Sequence, residues 1–335
     1  MTKDTLSDLL RTVRLHGAVF YYVKGYPPWA VGNPHVREII PAIMPGAEHM
    51  IEFHALVSGT CWASTHGEPP VAMQPGDIVL FPQGDAHTMG SAPELRAKAD
   101  GTALFFSQRP PQLPYALSVK ADCLTTTHVD DDPEHSAKVV CGFLGLDARP
   151  FNPLLASLPR VLLVSGSTLG TDSWVSTLMR AVVAEADAKR PGGEAVMARM
   201  SEMLFVEALR RYVDALPEEE TGWLAGTRDP AVGRALSLIH EHPSQAWTVE
   251  RLSEDVGLSR SSLHERFMQL IGQPPMQYLM NWRMQLASSR LRDTSAKLME
   301  VAQDVGYESE AAFSRAFKRV SGLSPGAWRK QRRSG

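Results

Sequence analysis

Apolar residues in the last third of this 335-residue chain recur every three or four positions, and they do so in two copies of one pattern. In the first copy Leu252 and Val256 lie four residues apart, and in the second copy Val301 and Val305 do the same. Residues at this spacing form one face of a short helix. The copies stay in step, with an offset of 49 residues that becomes 50 after one turn. A repeat of this length predicts two copies of one supersecondary unit.

Each copy also predicts a second helix after a glycine turn. Gly257 and Gly306 stand where the first helix would end, and a left-handed backbone is favourable only for glycine. Ser259 and Ser309 follow as candidates for the N-cap of the next helix. Helix, glycine turn and helix make a helix-turn-helix unit, whose second helix can enter the major groove of DNA. Two such units in register, joined by a further helical segment, are a much stronger signal than one.

The first 150 residues contain short apolar segments rich in aromatic and β-branched residues, separated by proline and glycine. Examples are AVFYYVKGYPPW, MIEFHALVSGTCWAS and PPVAMQPGDIVLFP. Short strands at this spacing are typical of an antiparallel sandwich or barrel. A short amphipathic helix is predicted ahead of them, from Thr5 to Leu15.

Two long helical patterns lie between the β-rich part and the repeat, from Ser173 to Ala188 and from Gly193 to Leu216. The second has a wide apolar face, and such a face needs a partner. The partner could be the β-rich domain, the first helix or the same helix of another subunit, and we predict a homodimer. The residues of this face are Val196, Met200, Met203, Leu204 and Leu209.

Charge separates the repeat from the rest of the chain. The net charge is −3, but from Arg228 to the end there are sixteen basic and eleven acidic residues, which gives +5 there and −8 before it. A basic C-terminal part fits contact with phosphates. No apolar run has membrane-spanning length, the start does not resemble a signal sequence, and three widely spaced cysteines form no disulfide framework. These features predict a reducing cytoplasm as the compartment.

The repeat resembles the DNA-binding domain of the AraC/XylS transcription regulators. The matching residues are WTVERLSEDVGLSRSSLHERF, GQPPMQYLMNWRMQLASSRLR and VAQDVGYESEAAFSRAFKRVSGLSPGAWR. The resemblance implies that the second helix of each unit reads a segment of promoter DNA, and that RNA polymerase is a further partner. The DNA-facing positions it implies are Arg260, Ser261, His264 and Glu265 in the first unit and Glu310, Ala311, Ser314 and Arg315 in the second, with Lys318 and Arg319 nearer the phosphates.

A second resemblance lies in the β-rich part. The stretch GDIVLFPQGDAH, which ends at His87, is similar to the second conserved motif of the cupin barrels. The first cupin motif has paired histidines and a glutamate, and here it is degenerate, with His54 in EFHALVSG and His49 five residues earlier. The arrangement more closely resembles the cupin-type sensor domains that are fused to AraC-like DNA-binding domains and bind small effectors. A metal-dependent cupin enzyme fused to an autoregulatory DNA-binding domain is the alternative.

His54, His87 and Cys141 lie on predicted strands of this barrel and could converge. Imidazole nitrogen and thiolate sulfur are good ligands for zinc-like ions, so one hypothesis is that the three residues hold a divalent metal. The other is that the histidines are hydrogen-bonded core residues and that Cys141 is a small buried hydrophobe. The effector site is predicted in the barrel interior, with His54 and His87 in its wall. Trp29 is predicted to lie near its mouth.

The remaining cysteines and one acidic segment are assigned no chemistry. Cys61 and Cys123 are predicted to pack in the core, because no basic residue flanks them to lower the pKa of a thiol. The segment Thr125–Ser136 contains three aspartates, His128 and His135. We predict a solvated loop there rather than a metal site.

Together the patterns predict an α+β multidomain protein with a cupin-like β-barrel, central dimerisation helices and a C-terminal all-α domain of two helix-turn-helix units. The predicted boundaries are 1–150, 151–216 and 231–335, with a linker at 217–230. The predicted function is a sequence-specific transcription regulator, not an enzyme. A small effector in the barrel would set its affinity for promoter DNA.

Overall fold

The structure is a computed structural model that describes residues 4–97, 115–121, 123–125, 137–166, 174–188, 190–217 and 219–333. Its helices are α1 (Thr5–Thr12), α2 (Val36–Ile43), α3 (Pro153–Ala156), α4 (Trp174–Ala188), α5 (Gly193–Ala215), α6 (Trp223–Arg228), α7 (Pro230–Glu241), α8 (Val249–Asp255), α9 (Arg260–Ile271), α10 (Pro275–Asp293), α11 (Leu298–Asp304), α12 (Glu310–Ser321) and α13 (Pro325–Arg333). Its strands are β1 (His16–Asn33), β2 (His49–Ser58), β3 (Cys61–Thr65), β4 (Val71–Met73), β5 (Ile78–Phe81), β6 (His87–Gly90), β7 (Tyr115–Ala121), β8 (Cys123–Thr125), β9 (Ala137–Leu146) and β10 (Leu162–Val164).

The chain divides into two compact units. The first, the barrel unit, comprises Leu15–Leu146 and Leu158–Asp214. The second, the helical unit, comprises Met1–Arg14, Asp147–Ser157 and Ala215–Gly335.

The strands of the barrel unit form a nearly closed barrel, as predicted. The strand order is β10-β5-β2-β9-β1-β6-β3-β4, and all of these neighbours pair antiparallel. Strand β1 also pairs in parallel with β7, which pairs with β8. Successive residues of a strand point to opposite faces, so each strand contributes alternate side chains to the interior. The apolar core includes Trp29, Met50, Leu56, Phe81 and Phe143.

Helices α4 and α5 belong to the barrel unit, and the apolar face predicted on α5 is divided in two. Leu204 and Leu209 are buried. Val196 and Met203 lie on another side of the helix and are 41% and 49% exposed. The predicted face is therefore not one continuous surface, because only part of it is free to meet another subunit.

The helical unit contains both predicted helix-turn-helix units, α8–α9 and α11–α12. The turns are made as the sequence indicates, with Gly257 and Gly306 at φ of 73° and 83°. The hydroxyl of Ser259 accepts from the backbone N–H of Ser262 at 3.1 Å, and Ser309 caps α12 in the same way. Helix α10 joins the two units.

The division differs from the predicted boundaries, because three segments outside 231–335 pack in the helical unit. Helix α1 contacts α7 through the hydroxyls of Thr5 and Ser237, 3.0 Å apart. The segment 147–157 is held by α10, since Gln285 Oε1 accepts from the N–H of Phe151 at 3.0 Å. The predicted linker 217–230 contains α6, whose Trp223 is buried. The boundary failed here because a buried tryptophan outweighs the surrounding proline, glycine and acidic residues.

Candidate functional site

Helix α9 shows one exposed side and one buried side, as a recognition helix requires. Leu263 and Phe267 are fully buried in the helical unit. The residues with predicted DNA contacts all lie on the exposed side, and they are Arg260, Ser261, His264 and Glu265.

Helix α12 has the same division. Phe313 and Phe317 are fully buried. Glu310, Ala311, Arg315, Lys318 and Arg319 are exposed, and Ser314 is half-buried. The structure therefore places the predicted residues, apart from the half-buried Ser314, on the solvent side of both recognition helices.

The exposed arginines of the two helices differ in their surroundings. Nη1 of Arg260 lies 2.9 Å from Oε1 of Glu250 on α8, and this hydrogen bond lowers the pKa of the Glu250 carboxyl. The guanidinium of Arg315 has no hydrogen bond or ion pair among the residues that the structure describes. Of these two arginines, Arg315 presents the charge that is free to meet a nucleic acid.

The barrel interior gathers four chemically active side chains from three strands. Glu52 and His54 are two residues apart on β2 and so share a face. His87 begins β6, and β9 pairs with β2 so that Cys141 lies opposite His54. The predicted convergence of His54, His87 and Cys141 is present, and Glu52 joins it.

The distances in this cluster are those of direct contact. Nε2 of His54 lies 2.7 Å from Nε2 of His87, and Nδ1 of His54 lies 2.8 Å from Sγ of Cys141. The Glu52 carboxylate oxygens lie 3.6 Å from Nε2 of His54 and 3.9 Å from Nε2 of His87. Nδ1 of His87 is 2.9 Å from the carbonyl oxygen of Asp85.

Burial keeps this cluster uncharged near neutral pH. It raises the pKa of Glu52 to about 8 and lowers that of His87 to about 4. Burial, and then the neighbouring His87, hold the pKa of His54 well below its usual value. Oε2 of Glu52 is buried with no hydrogen-bond partner, which is costly unless something else meets it.

One cation could satisfy these atoms together. One ligand atom from each of Glu52, His54 and His87 lies within 4.8 Å of the other two, and all three residues are buried. Two imidazole nitrogens and a carboxylate oxygen are a donor set that suits zinc and similar ions. The residues present therefore fit a divalent metal.

A cavity of about 580 Å³ opens beside this cluster. Its lining is rich in polar and charged side chains, and His87 belongs both to the lining and to the cluster. The titratable residues of the lining are His35, Glu38, His66, Glu68, His87 and Arg96.

Comparisons with known proteins match both units. Residues 4–214 match a family model described as Cupin, and residues 252–331 match one described as Helix-turn-helix domain. An AraC-like transcription regulator of Streptomyces lividans is 31% identical over 290 residues, which are 86% of this chain and 90% of that protein. The chain belongs to the AraC-like transcription regulators, with a cupin domain at its N-terminus.

The chain is also similar to a second regulator and to part of a solved structure. The regulator AlkR of Acinetobacter baylyi is 27% identical over 330 residues, 98% of this chain and 99% of AlkR. A solved structure of the DNA-binding domain of AdpA with a target DNA is 31% identical, covers 32% of this chain and 95% of that chain, and has a TM-score of 0.30. As a member of the family, this AraC-like regulator is a sequence-specific DNA-binding protein that controls transcription.

Several predicted residues of this AraC-like regulator lie away from the cluster. Trp29 is only 2% exposed, so the structure places it in the barrel core and not at a mouth. The aromatic ring is drawn inward because its area is large and apolar. His49 also lies apart, since its Nε2 meets the carbonyl oxygen of Pro82 at 2.7 Å. Cys61 is buried as predicted.

Other predictions fall where the structure says less. The backbone of Cys123 lies in β8. His128 and His135, with the rest of the acidic segment after Thr125, lie outside the described residues. Among the residues described, no helix is long and apolar enough to cross a membrane.

Sequence reasoning did not select Glu52 for the cluster. The signal was available, because Glu52 and His54 are two apart in a predicted strand and must face the same way.

Proposed function

We propose that this AraC-like regulator binds promoter DNA through both helix-turn-helix units, and that a small polar effector in the barrel cavity sets its affinity. The observation that carries the proposal is that His87 belongs both to the cavity lining and to the buried cluster. The His87 side chain itself is fully buried, so a molecule in the cavity would act on Glu52 and His54 through the wall that carries His87. This supports sensing by the barrel rather than catalysis, in keeping with the named relatives, which are transcription regulators.

The size and lining of the cavity support a polar effector. About 580 Å³ is within the range of roughly 300–1,000 Å³ that small-molecule sites occupy. The lining carries amide, hydroxyl, imidazole and charged groups, including Asn33, Ser64 and Arg96. An apolar ligand would leave these groups without hydrogen-bond partners, at a cost of about 1–3 kcal/mol for each one buried.

A divalent metal ion is part of this proposal. Glu52, His54 and His87 would hold it, and a bound ion would supply a Lewis-acid centre behind the cavity wall that carries His87. The Glu52 carboxylate would neutralise part of its charge, and the orphaned Oε2 would gain a partner. Ligands from two strands that belong to one barrel would also fix the position of β6 relative to β2.

The dimer that we propose is based on an exposed apolar face of α5. Val196 and Met203 are large apolar side chains in solvent on α5, seven residues apart and so on one helix face. We propose that this face joins two copies as a homodimer. A dimer would place two helical units on promoter DNA in the cytoplasm, where RNA polymerase is the further partner.

The experiment compares wild-type protein with His87→Gln and His66→Gln. Both histidines line the cavity, but only His87 belongs to the cluster. After dialysis against zinc, we expect one bound zinc per chain in wild type and in His66→Gln, and none in His87→Gln. Affinity for a duplex selected by the protein from a random library should depend on zinc in the first two only. Zinc binding that survives in His87→Gln, or DNA affinity that ignores zinc in all three, would contradict the proposal.

A further inference from the structure

Cys141 touches the cluster from the side opposite His87. Its sulfur lies 2.8 Å from Nδ1 of His54, whereas the Nε2 of the same ring lies 2.7 Å from His87. The two ring nitrogens of an imidazole point in divergent directions. Cys141 is also not in the set of side chains whose ligand atoms lie within 4.8 Å of one another. Its sulfur therefore addresses His54 and not the space that Glu52, His54 and His87 share.

The carbonyl oxygen of Asp85 fixes the direction of the hydrogen bonds. A carbonyl can only accept, so Nδ1 of His87 carries a proton and Nε2 of His87 offers a lone pair. With no cation in the cluster, Nε2–H of His54 donates to that lone pair at 2.7 Å. Nδ1 of His54 is then an acceptor, and the thiol of Cys141 donates to it.

A cation in the cluster requires the opposite arrangement at His54. Both Nε2 atoms must then offer lone pairs to the ion, so the proton of His54 moves from Nε2 to Nδ1. From Nδ1 it donates to the sulfur of Cys141, which changes from donor to acceptor. No proton is gained or lost by the ring in this change of tautomer. A thiol can serve in both roles because it is a weak donor and a weak acceptor.

We propose that Cys141 is a positioning residue that sets the tautomer of His54 and so presents Nε2 of His54 to a divalent metal. The proposal rests on the metal centre put forward above. It differs from the sequence-based hypothesis, in which Cys141 was itself a ligand. Hydrogen bonds to the outer nitrogen of a histidine ligand orient the ring and raise its basicity, and their loss costs about 10–100-fold in metal affinity.

The register of the sheet makes this role specific to position 141. His54 and Cys141 are direct partners in the β2–β9 pair, so a side chain at 141 reaches the ring from the neighbouring strand. Replacement by serine keeps a group that donates and accepts, whereas replacement by valine keeps bulk but removes both functions. These two variants separate hydrogen bonding from packing.

The test uses the full chain loaded with Co²⁺, and then zinc competition with wild type, Cys141→Ser and Cys141→Val. We expect the cobalt spectrum of wild type to show ligand-field bands without a sulfur-to-cobalt charge-transfer band. Cys141→Val should bind zinc about 10–100-fold more weakly, with Cys141→Ser much closer to wild type. Melting curves of the zinc-free proteins establish that the variants are folded.

The outcomes are distinct from those that test the metal centre. A strong sulfur-to-cobalt band would make Cys141 a ligand and overturn this inference while the metal centre stands. Equal zinc affinity in all three proteins would make Cys141 a packing residue, with the same consequence. Failure of wild type to bind either ion would overturn the metal centre and this inference together. The cobalt spectrum needs no variant and still tests whether Cys141 is a ligand if Cys141→Val does not fold, and Cys141→Ala then takes its place in the zinc competition.

Discussion

Single residues decide how much charge each recognition helix offers to DNA. The Arg260 guanidinium donates a hydrogen bond of 2.9 Å to the Glu250 carboxylate. The guanidinium of Arg315 has no hydrogen-bond or ion-pair partner among the residues described. Both Arg260 and Glu250 are exposed, so their ion pair contributes little to stability. We expect its effect to be on binding, because a carboxylate beside the arginine would oppose phosphate contact.

Glu250→Gln is expected to strengthen binding to DNA of any sequence, since it releases Arg260 from its partner. Glu254→Gln on the same helix removes the same charge from an exposed position without releasing an arginine, and so serves as the control. Affinity for a random duplex at several salt concentrations is the measurement. Glu250→Gln should bind more tightly than Glu254→Gln, with a steeper salt dependence. Equal affinities of the two variants would show that the ion pair does not restrain Arg260.

Cys61 is expected to be chemically inert in the folded protein. Burial, and then the nearby charge of Asp77, raise the pKa of its thiol to about 12, and only the thiolate reacts. Iodoacetamide at pH 8 should leave Cys61 unmodified in native protein and alkylate it in denaturant, as read by peptide mass spectrometry. Rapid labelling of native protein would mean that this part of the barrel opens readily.

The helices and strands show which sequence signals were sufficient to predict an element. The two helix-turn-helix units could be predicted because their signals are local: an apolar stripe, a glycine with positive φ and a serine cap. The barrel cluster was predicted only in part, because its members come from three strands whose register depends on the whole sheet. Helix α6 was missed because its stability comes from Trp223, whose indole N–H donates to the hydroxyl of Tyr278 on α10 at 2.7 Å.

Neighbouring residues of helix α5 face different surroundings. Leu204 is 4% exposed and Met203 is 49% exposed. Leu204→Ala should lower the free energy of unfolding by about 2–5 kcal/mol, as expected for a buried leucine. Met203→Glu should keep the melting temperature but shift the protein from dimer to monomer in sedimentation. A stable dimer in Met203→Glu would place the subunit contact elsewhere.

At the scale of the whole molecule, the chain itself connects the two sites. Strand β9 carries Cys141 and ends at Leu146, and the next residue belongs to the helical unit. There Oδ2 of Asp147 lies 2.7 Å from Nη1 of Arg292, near the end of α10. Because α10 joins the two helix-turn-helix units, Cys141 is connected to the element between them by six residues of backbone and the Asp147–Arg292 ion pair.

Both recognition helices are expected to read DNA, and one selection experiment tests this directly. Full-length wild type, Arg315→Ala and Lys318→Ala each select duplexes from a random library at fixed salt. Wild type should enrich two conserved segments about one helical turn (~34 Å) apart. Arg315→Ala should lose preference within one segment and about 1–3 kcal/mol of affinity, whereas Lys318→Ala should keep the same sequence and bind more weakly. A single enriched segment, or an Arg315→Ala preference identical to wild type, would contradict the account.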